Sequence, residues 1–277
     1  MIQSIASPFQ TPGAAGALCV IVDASFDPHW QVHVDQAISN GTERCVALFD
    51  NTPYAALQTV GPFALLCPQP GALQPYASSL LEQVDAGCVA YLNDEQSFDQ
   101  AVEQWRSLLT VSTDDAPARM MRFFEPRWLE PLLSSLDETE LLRFMGPLTG
   151  IAWRNELGWR HLAHPHPELE PEVQAPGWLH LGCERQALMD QQRLKVLAER
   201  FAHDYQAALP MPEPEAFVYR QLQAAQQAGY VQLAEQERWL RLSLSKGDEF
   251  WARSAHTEWL AREDLGLGDK LIGLERL

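Results

Sequence analysis

Met120-Met121-Arg122-Phe123-Phe124-Glu125-Pro126-Arg127-Trp128-Leu129 carries an apolar segment into a charged corner and opens a helix on a proline, with no loop between. Pro126 suits a first helical position, because its missing N–H would have no partner there and its φ is already helical. Leu129, Leu132, Leu133 and Leu136 follow at i, i+3, i+4 and i+7, one apolar stripe. The spacing predicts a strand over 120–124 and a helix from 126. Glu125 falls at the cap, near the positive end of the helix dipole, with Arg122 and Arg127 on either side. Many such corners are solvated ion pairs worth under about 1 kcal/mol. In open α/β sheets, however, ligands and partners favour the carboxyl ends of strands.

Upstream, residues 17–22, 45–49, 63–67 and 88–92 are short apolar runs that read as buried strands. Residues 97–109 form a helical pattern in which Phe98, Ala101, Val102, Trp105, Leu108 and Leu109 share a face. Ser97 and Gln100 match a capping box there. Strand, helix and strand in this rhythm predict an α/β fold, a mainly parallel sheet with flanking helices. Asp137-Glu138-x-Glu140 starts another short helix that closes at Gly146-Pro147, and Trp153 and residues 159–163 add strands at an edge. Pro165, Pro167, Pro171 and Pro176 then punctuate an acidic stretch that reads as a connector or an extended flap. Everything after it is patterned as helix, with Gly229 and Gly247 at expected C-caps. The expected organisation is an α/β lobe over 1–182 and a smaller all-α lobe over 183–277.

Composition narrows the chemistry. A chain of 277 residues with 46% hydrophobic residues and nine tryptophans can bury a large core. Its net charge of −17 repels phosphate backbones and anionic membrane surfaces, which argues against nucleic acid or membrane and for a basic or neutral protein partner. No cation precedes Arg44, so no secretory signal is expected, and no apolar run approaches the roughly 18 residues of a membrane span. Five cysteines without C-x-x-C spacing fit free thiols in a reducing, cytoplasmic setting. Asn40-Gly41-Thr42 then reads as a turn.

Catalytic signatures are sparse. Gly13-Ala14-Ala15-Gly16 precedes the first buried strand where a dinucleotide fold needs its glycines after it. Phosphate-loop and nucleophile-elbow motifs are missing from the sequence. His161-x-x-His164-x-His166 is the one histidine cluster; on a strand, His161 opposes the other two, which is poor for a single metal, and a solvated proline-rich loop is the competing reading. No cofactor or metal is expected. Phe250-Trp251 and Trp259 offer an aromatic anchor of the kind found in binding hot spots, with core packing of the last helices as the alternative.

Arg122-Phe123-Phe124-Glu125-Pro126-Arg127, the leucine helix, Phe144-x-Gly146-Pro147 and Trp153 together resemble the type VI secretion effector-chaperone (adaptor) family. Its run is Arg-Phe-aromatic-Asp-Pro-Arg, then an aromatic-Gly-Pro and a tryptophan. Val22-Asp23-Ala24, Leu48-Phe49 and 61–66 stand in the same order upstream, and Gly247-Asp248-Glu249-Phe250-Trp251 is similar to the family's late Gly-x-x-Phe. Two departures stand out. Glu125 replaces Asp, and its side chain is too long to cap its own helix well; Asp50-Asn51 replaces a small glycine-containing turn. The resemblance implies a non-enzymatic cytoplasmic adaptor that binds a secreted effector and loads it onto a VgrG-type spike. Arg122, Glu125, Arg127, Trp128, Phe250 and Trp251 are the expected partner-binding residues. The competing class is an α/β enzyme, a transferase or hydrolase, binding a small molecule near Asp23 and Asn93.

Overall fold

The computed structural model describes residues 1–9, 16–38, 43–68, 71–172 and 174–277. Gly13 to Ala15 and the Asn40-Gly41-Thr42 turn lie outside the described residues. By internal contacts the chain forms two compact units, Met1–Met189 and Asp190–Leu277.

The first unit is built on β1 (Gln3–Ile5), β2 (Ala17–Asp23), α1 (Trp30–Ala37), β3 (Arg44–Ala47), β4 (Pro62–Cys67), α2 (Leu73–Leu80), β5 (Gly87–Leu92) and α3 (Phe98–Leu108). A small β6–β7 ladder (Thr110–Val111 and Arg119–Met120) follows, then α4 (Pro126–Ser135), α5 (Glu138–Met145), β8 (Leu148–Asn155) and β9 (Gly158–Ala163). The seven-stranded sheet has the order β1-β9-β8-β5-β2-β4-β3, and every neighbouring pair is antiparallel.

The expected parallel sheet is therefore wrong, for a definite reason. The crossover from β2 through α1 reaches β3, two positions away, and β4 folds back between them. The crossover from β4 through α2 reaches β5, with β2 between them. Each crossover does join two strands of like direction, but the two are interleaved in a split β-α-β pattern, so like strands never touch. The continuous apolar strands reflect cover on both faces, which antiparallel sheets commonly lack. Leu18, Val20 and Val22 face a cluster with Trp30, Val34, Leu73 and Ala77 of α1 and α2. Ala17, Cys19 and Ile21 face Phe98, Trp105, Leu129, Leu132 and Phe144 of α3, α4 and α5.

Of the strand expected over 120–124, Met120 lies in β7 and Met121 N–H pairs with the Leu109 carbonyl at 2.9 Å, but residues 122–125 are a turn, closed by Glu125 N–H donating to the Arg122 carbonyl at 3.2 Å. Phe123 and Phe124 enter the same cluster side by side, which strand alternation would forbid. The start of α3 is also capped differently: Asp94 Oδ1 accepts from Ser97 N–H at 2.8 Å, and the Ser97 side chain makes no cap bond. The capping box is at α5, where Asp137 and Glu140 satisfy each other's main chain. After the acidic proline stretch, Leu179 and Leu181 return to the sheet cluster, pairing main chain with Ser112.

The second unit holds the later part of α6 (Cys183–Asp204), then α7 (Pro214–Gln227), α8 (Leu233–Lys246), α9 (Ser254–Leu260) and α10 (Leu267–Arg276). Phe201, Phe217, Leu222 and Leu240 form one core; Tyr230, Trp239, Phe250, Leu271 and Leu274 form another. Among the described residues, no helix is long and apolar enough to cross a membrane.

Cys19, Cys67 and Cys88 are buried in the sheet, and burial pushes the Cys67 thiol up to about 12. Cys45 is half-buried, and burial together with the Asp35 charge pushes its thiol up to about 12 as well. Cys183 is exposed. A disulfide-exchange reagent at mildly alkaline pH should titrate one thiol rapidly in the native protein and all five after denaturation. Fast reaction of Cys19, Cys67 or Cys88 would show that the sheet opens under native conditions.

Candidate functional site

Asp23 ends β2 with its side chain almost fully buried, and Glu125, at the start of α4, is equally enclosed. Arg122 lies between them: its guanidinium pairs with both carboxylates, Nη2 to Asp23 and Nε to Glu125. The same guanidinium stands 5.4 Å from the centre of the Phe124 ring. Arg127 Nε donates to the other Glu125 oxygen at 2.6 Å from a side chain that is 63% exposed. The other Asp23 oxygen accepts from Ser25 N–H at 2.8 Å, turning the chain out of β2. Two buried carboxylates and two guanidiniums thus join the end of an inner strand to the start of a helix.

Glu125 holds the N-cap position but makes no side-chain cap bond. The missing acceptor comes from Asp85, whose Oδ1 takes the Arg127 N–H at 3.1 Å. Asp85 has φ of 66°, a left-handed turn residue leading into β5, a conformation Asp tolerates better than most residues. Partial burial raises its carboxyl above the usual range, opposed by the Arg127 main chain and charge.

A second pin lies one turn along α4. Glu130 is buried and accepts from Trp153 Nε1 at 2.9 Å and Asn155 Nδ2 at 3.3 Å, tying α4 to β8. Phe123 meets Phe144 edge-on at 6.1 Å. Gly146 closes α5 at φ of 50°, where an added Cβ would press on the Gln104 side chain at 3.0 Å. The residues that carry the resemblance therefore hold the faces of this unit together.

Of the six expected partner-binding residues, Arg122, Glu125 and Arg127 meet in one cluster. Trp128 is half-buried against the sheet cluster. Phe250, in the second unit, is fully buried 5.0 Å from the Trp239 ring, and Trp251 is half-buried beside the same ring. Asp23 and Asn93, the expected small-molecule site, lie at opposite ends of the antiparallel β2–β5 pair, where Ala17 stands opposite Leu92. Six residues of strand, roughly 20 Å, separate them, and the Asp23 carboxylate is occupied by Arg122.

In the histidine cluster, His161 packs edge-on against Tyr91, and His164 is buried with Nδ1 accepting the His166 N–H at 2.9 Å. Burial lowers the pKa of both His161 and His164. Among the described residues, no three His, Cys, Asp or Glu side chains gather as metal ligands.

One constellation had no sequence signal because His180 stands 66 residues from Asp114 in the chain. Ser112 Oγ lies 3.2 Å from His180 Nδ1, and His180 Nε2 lies 3.1 Å from Asp114 Oδ1. Asp114 Oδ2 accepts the Cys183 N–H at 2.7 Å, at the first turn of α6. That bond and His180 hold its carboxyl below the usual range. His180 and Asp114 are each more than half exposed.

Replacing Arg122 by Met leaves two enclosed carboxylates without their shared cation, so it should cost about 2–4 kcal/mol in urea unfolding. Arg127→Met removes an exposed partner and should cost under about 1 kcal/mol. Asp85→Asn should be near neutral, because Asn also accepts and tolerates left-handed φ. Asp85→Ala should cost roughly 1–2 kcal/mol from the lost cap and the strained φ. Equal costs for the two arginine variants would refute this assignment.

Residues 19–143 match the sequence model of a family described as a domain of unknown function (DUF4123). The matched segment runs from β2 into α5 and contains the whole Asp23–Arg122–Glu125–Arg127 cluster. No curated protein and no solved structure matches the chain.

Proposed function

We propose that this protein is a non-catalytic adaptor of a type VI secretion system, holding a secreted effector in the cytoplasm and presenting it to a VgrG-type spike. The observation that carries the reading is one of place. The densest motif of the adaptor-family resemblance, Arg122 to Arg127, lies inside the matched segment and converges on one cluster. The charges of that motif pair with one another and with Asp23, as a scaffold that holds a binding surface would require. The acidic balance of the chain supports a protein partner over nucleic acid or membrane.

Arg127 keeps 63% of its side chain in solvent and is the member of the cluster free to reach outward. Co-expression with the effector and spike genes that neighbour its own should yield a complex containing all three chains. Arg127→Ala should weaken that complex about tenfold while leaving the unfolding midpoint close to wild type. Retention of neither neighbour would end the adaptor reading. A rise of several degrees in melting temperature with a nucleotide or S-adenosylmethionine would favour an enzyme.

A second reading, a hydrolase, has one observation in its favour: Ser112, His180 and Asp114 stand in hydrogen-bond sequence, with Nδ1 toward the serine and Nε2 toward the carboxylate, the reverse of the Ser-His-Asp triad. A fluorophosphonate, which phosphonylates activated serines with loss of fluoride, should leave the native chain unlabelled if the adaptor reading holds. Labelling lost in Ser112→Ala would establish the hydrolase.

A further inference from the structure

β3 is the last strand of its sheet, with β4 as its partner on one side. The Leu48 N–H donates to the Pro62 carbonyl at 2.9 Å. Antiparallel alternation then turns the main chain of Arg44, Val46 and Leu48 toward β4, and that of Cys45 and Ala47 away from it. The outward Ala47 carbonyl is taken by Asp50 N–H at 3.2 Å and by Arg106 Nη2 at 3.4 Å. The N–H and C=O of Cys45 and the N–H of Ala47 face the open side of the sheet.

Beside this edge runs a groove of about 620 Å³, walled by Trp30, Val34 and Ile38 from the α1 side. Asp35 and Asp50 line the same groove. Asp35 is exposed and Asp50 half-buried, and neither enters an ion pair among the described residues. The cations at the edge are already held, Arg44 by Asp99 at 2.5 Å and Arg106 by Glu103 at 2.7 Å. An open main-chain edge, an apolar wall and unpaired carboxylates together describe a seat for a strand of opposite charge. The four residues of β3 give it a length of about 13 Å.

We propose that the β3 edge takes an extended, lysine- or arginine-bearing segment of the carried polypeptide as an eighth strand. This inference rests on the adaptor reading and specifies where the cargo is gripped. Main-chain bonds to Cys45 and Ala47 supply the pairing. Alternate side chains of the added strand reach Asp35 and Asp50 or lie on the apolar wall.

Cys45→Pro deletes the outward donor and leaves the β4 ladder intact, since an edge strand tolerates proline where its N–H faces outward. Asp35→Lys with Asp50→Lys reverses the charge of the groove. Two probes are measured on the full chain: the effector encoded by the neighbouring gene, and the heptapeptide Lys-Val-Lys-Val-Lys-Val-Lys with its Glu-for-Lys counterpart. The lysine peptide should slow amide exchange at Cys45 and Ala47 roughly tenfold, and the glutamate peptide should not. Both variants should weaken effector binding at least about tenfold. Effector bound equally by wild type and both variants overturns the edge proposal and leaves the adaptor standing. No effector binding, with the lysine peptide still protecting those amides, keeps the edge and removes the adaptor. Protection that grows with protein concentration alone would show a second copy on β3 and overturn the proposal.

Discussion

One guanidinium joining two enclosed carboxylates fixes how the sheet of this protein meets its helices. Asp23 stands where β2 ends, Glu125 where α4 begins, and Arg122 binds both. Buried ion pairs add little net stability compared with apolar residues of the same volume, but removing one partner leaves an uncompensated charge and is strongly destabilising. The contribution of such a cluster is positional. It is satisfied only when the carboxyl end of β2 and the first turn of α4 are brought together, and Glu130, bound by Trp153 and Asn155, ties the same helix to β8 one turn further on. The turn over 122–125 places Phe123 and Phe124 together in the core beneath it.

Part of the sheet domain was legible because hydrophobic periodicity reports local burial; α1 and α2, which cover one face, were not read from it. Residues 17–22, 63–67 and 88–92 are strands, and α3, α4 and α5 lie where their stripes place them. Strand direction was not legible. A fully apolar strand records that helices cover both faces, and says nothing about which neighbour it pairs with. Two crossovers of ordinary length, threaded through one another, give the same sequence rhythm as two stacked side by side. Only the long-range pairing of β2 with both β4 and β5 separates the two topologies, and that pairing has no local signature. The apolar residues 120–124 misled for a related reason: burial of consecutive side chains in one cluster suits a turn, while periodicity over five residues cannot tell it from a buried strand.

At the charged corner, the local part was readable and the distant part was not. Arg122, Glu125 and Arg127 lie within six residues and meet as their spacing implies. The poor reach of a Glu side chain as its own helix cap was also evident, and the structure shows no such bond. What the sequence withheld was the replacement. Asp85 sits 42 residues away from Arg127, in a left-handed turn whose position next to α4 follows from the placement of β5 beside β2. Ser112, Asp114 and His180 were hidden for the same reason, since a short strand-like pairing of 179–181 with Ser112 brings them together.

The same architecture restricts where this sheet can meet another polypeptide through its main chain. With α1 and α2 on one face and α3, α4 and α5 on the other, the inner strands are covered on both sides, and among the described residues β1 and β3 are the edges of the seven-stranded sheet. At one end is β1, three exposed or half-buried residues. At the other is β3, four half-buried residues beside a groove that combines apolar side chains with unpaired carboxylates. Natural edges are usually blunted by shortness and by charge. Here the edge is short, but its own arginine is turned to Asp99, and the charges left in the groove are negative. An edge of that kind disfavours a second copy of the same acidic chain and favours a basic strand, so partner selectivity at β3 follows from electrostatics as much as from shape.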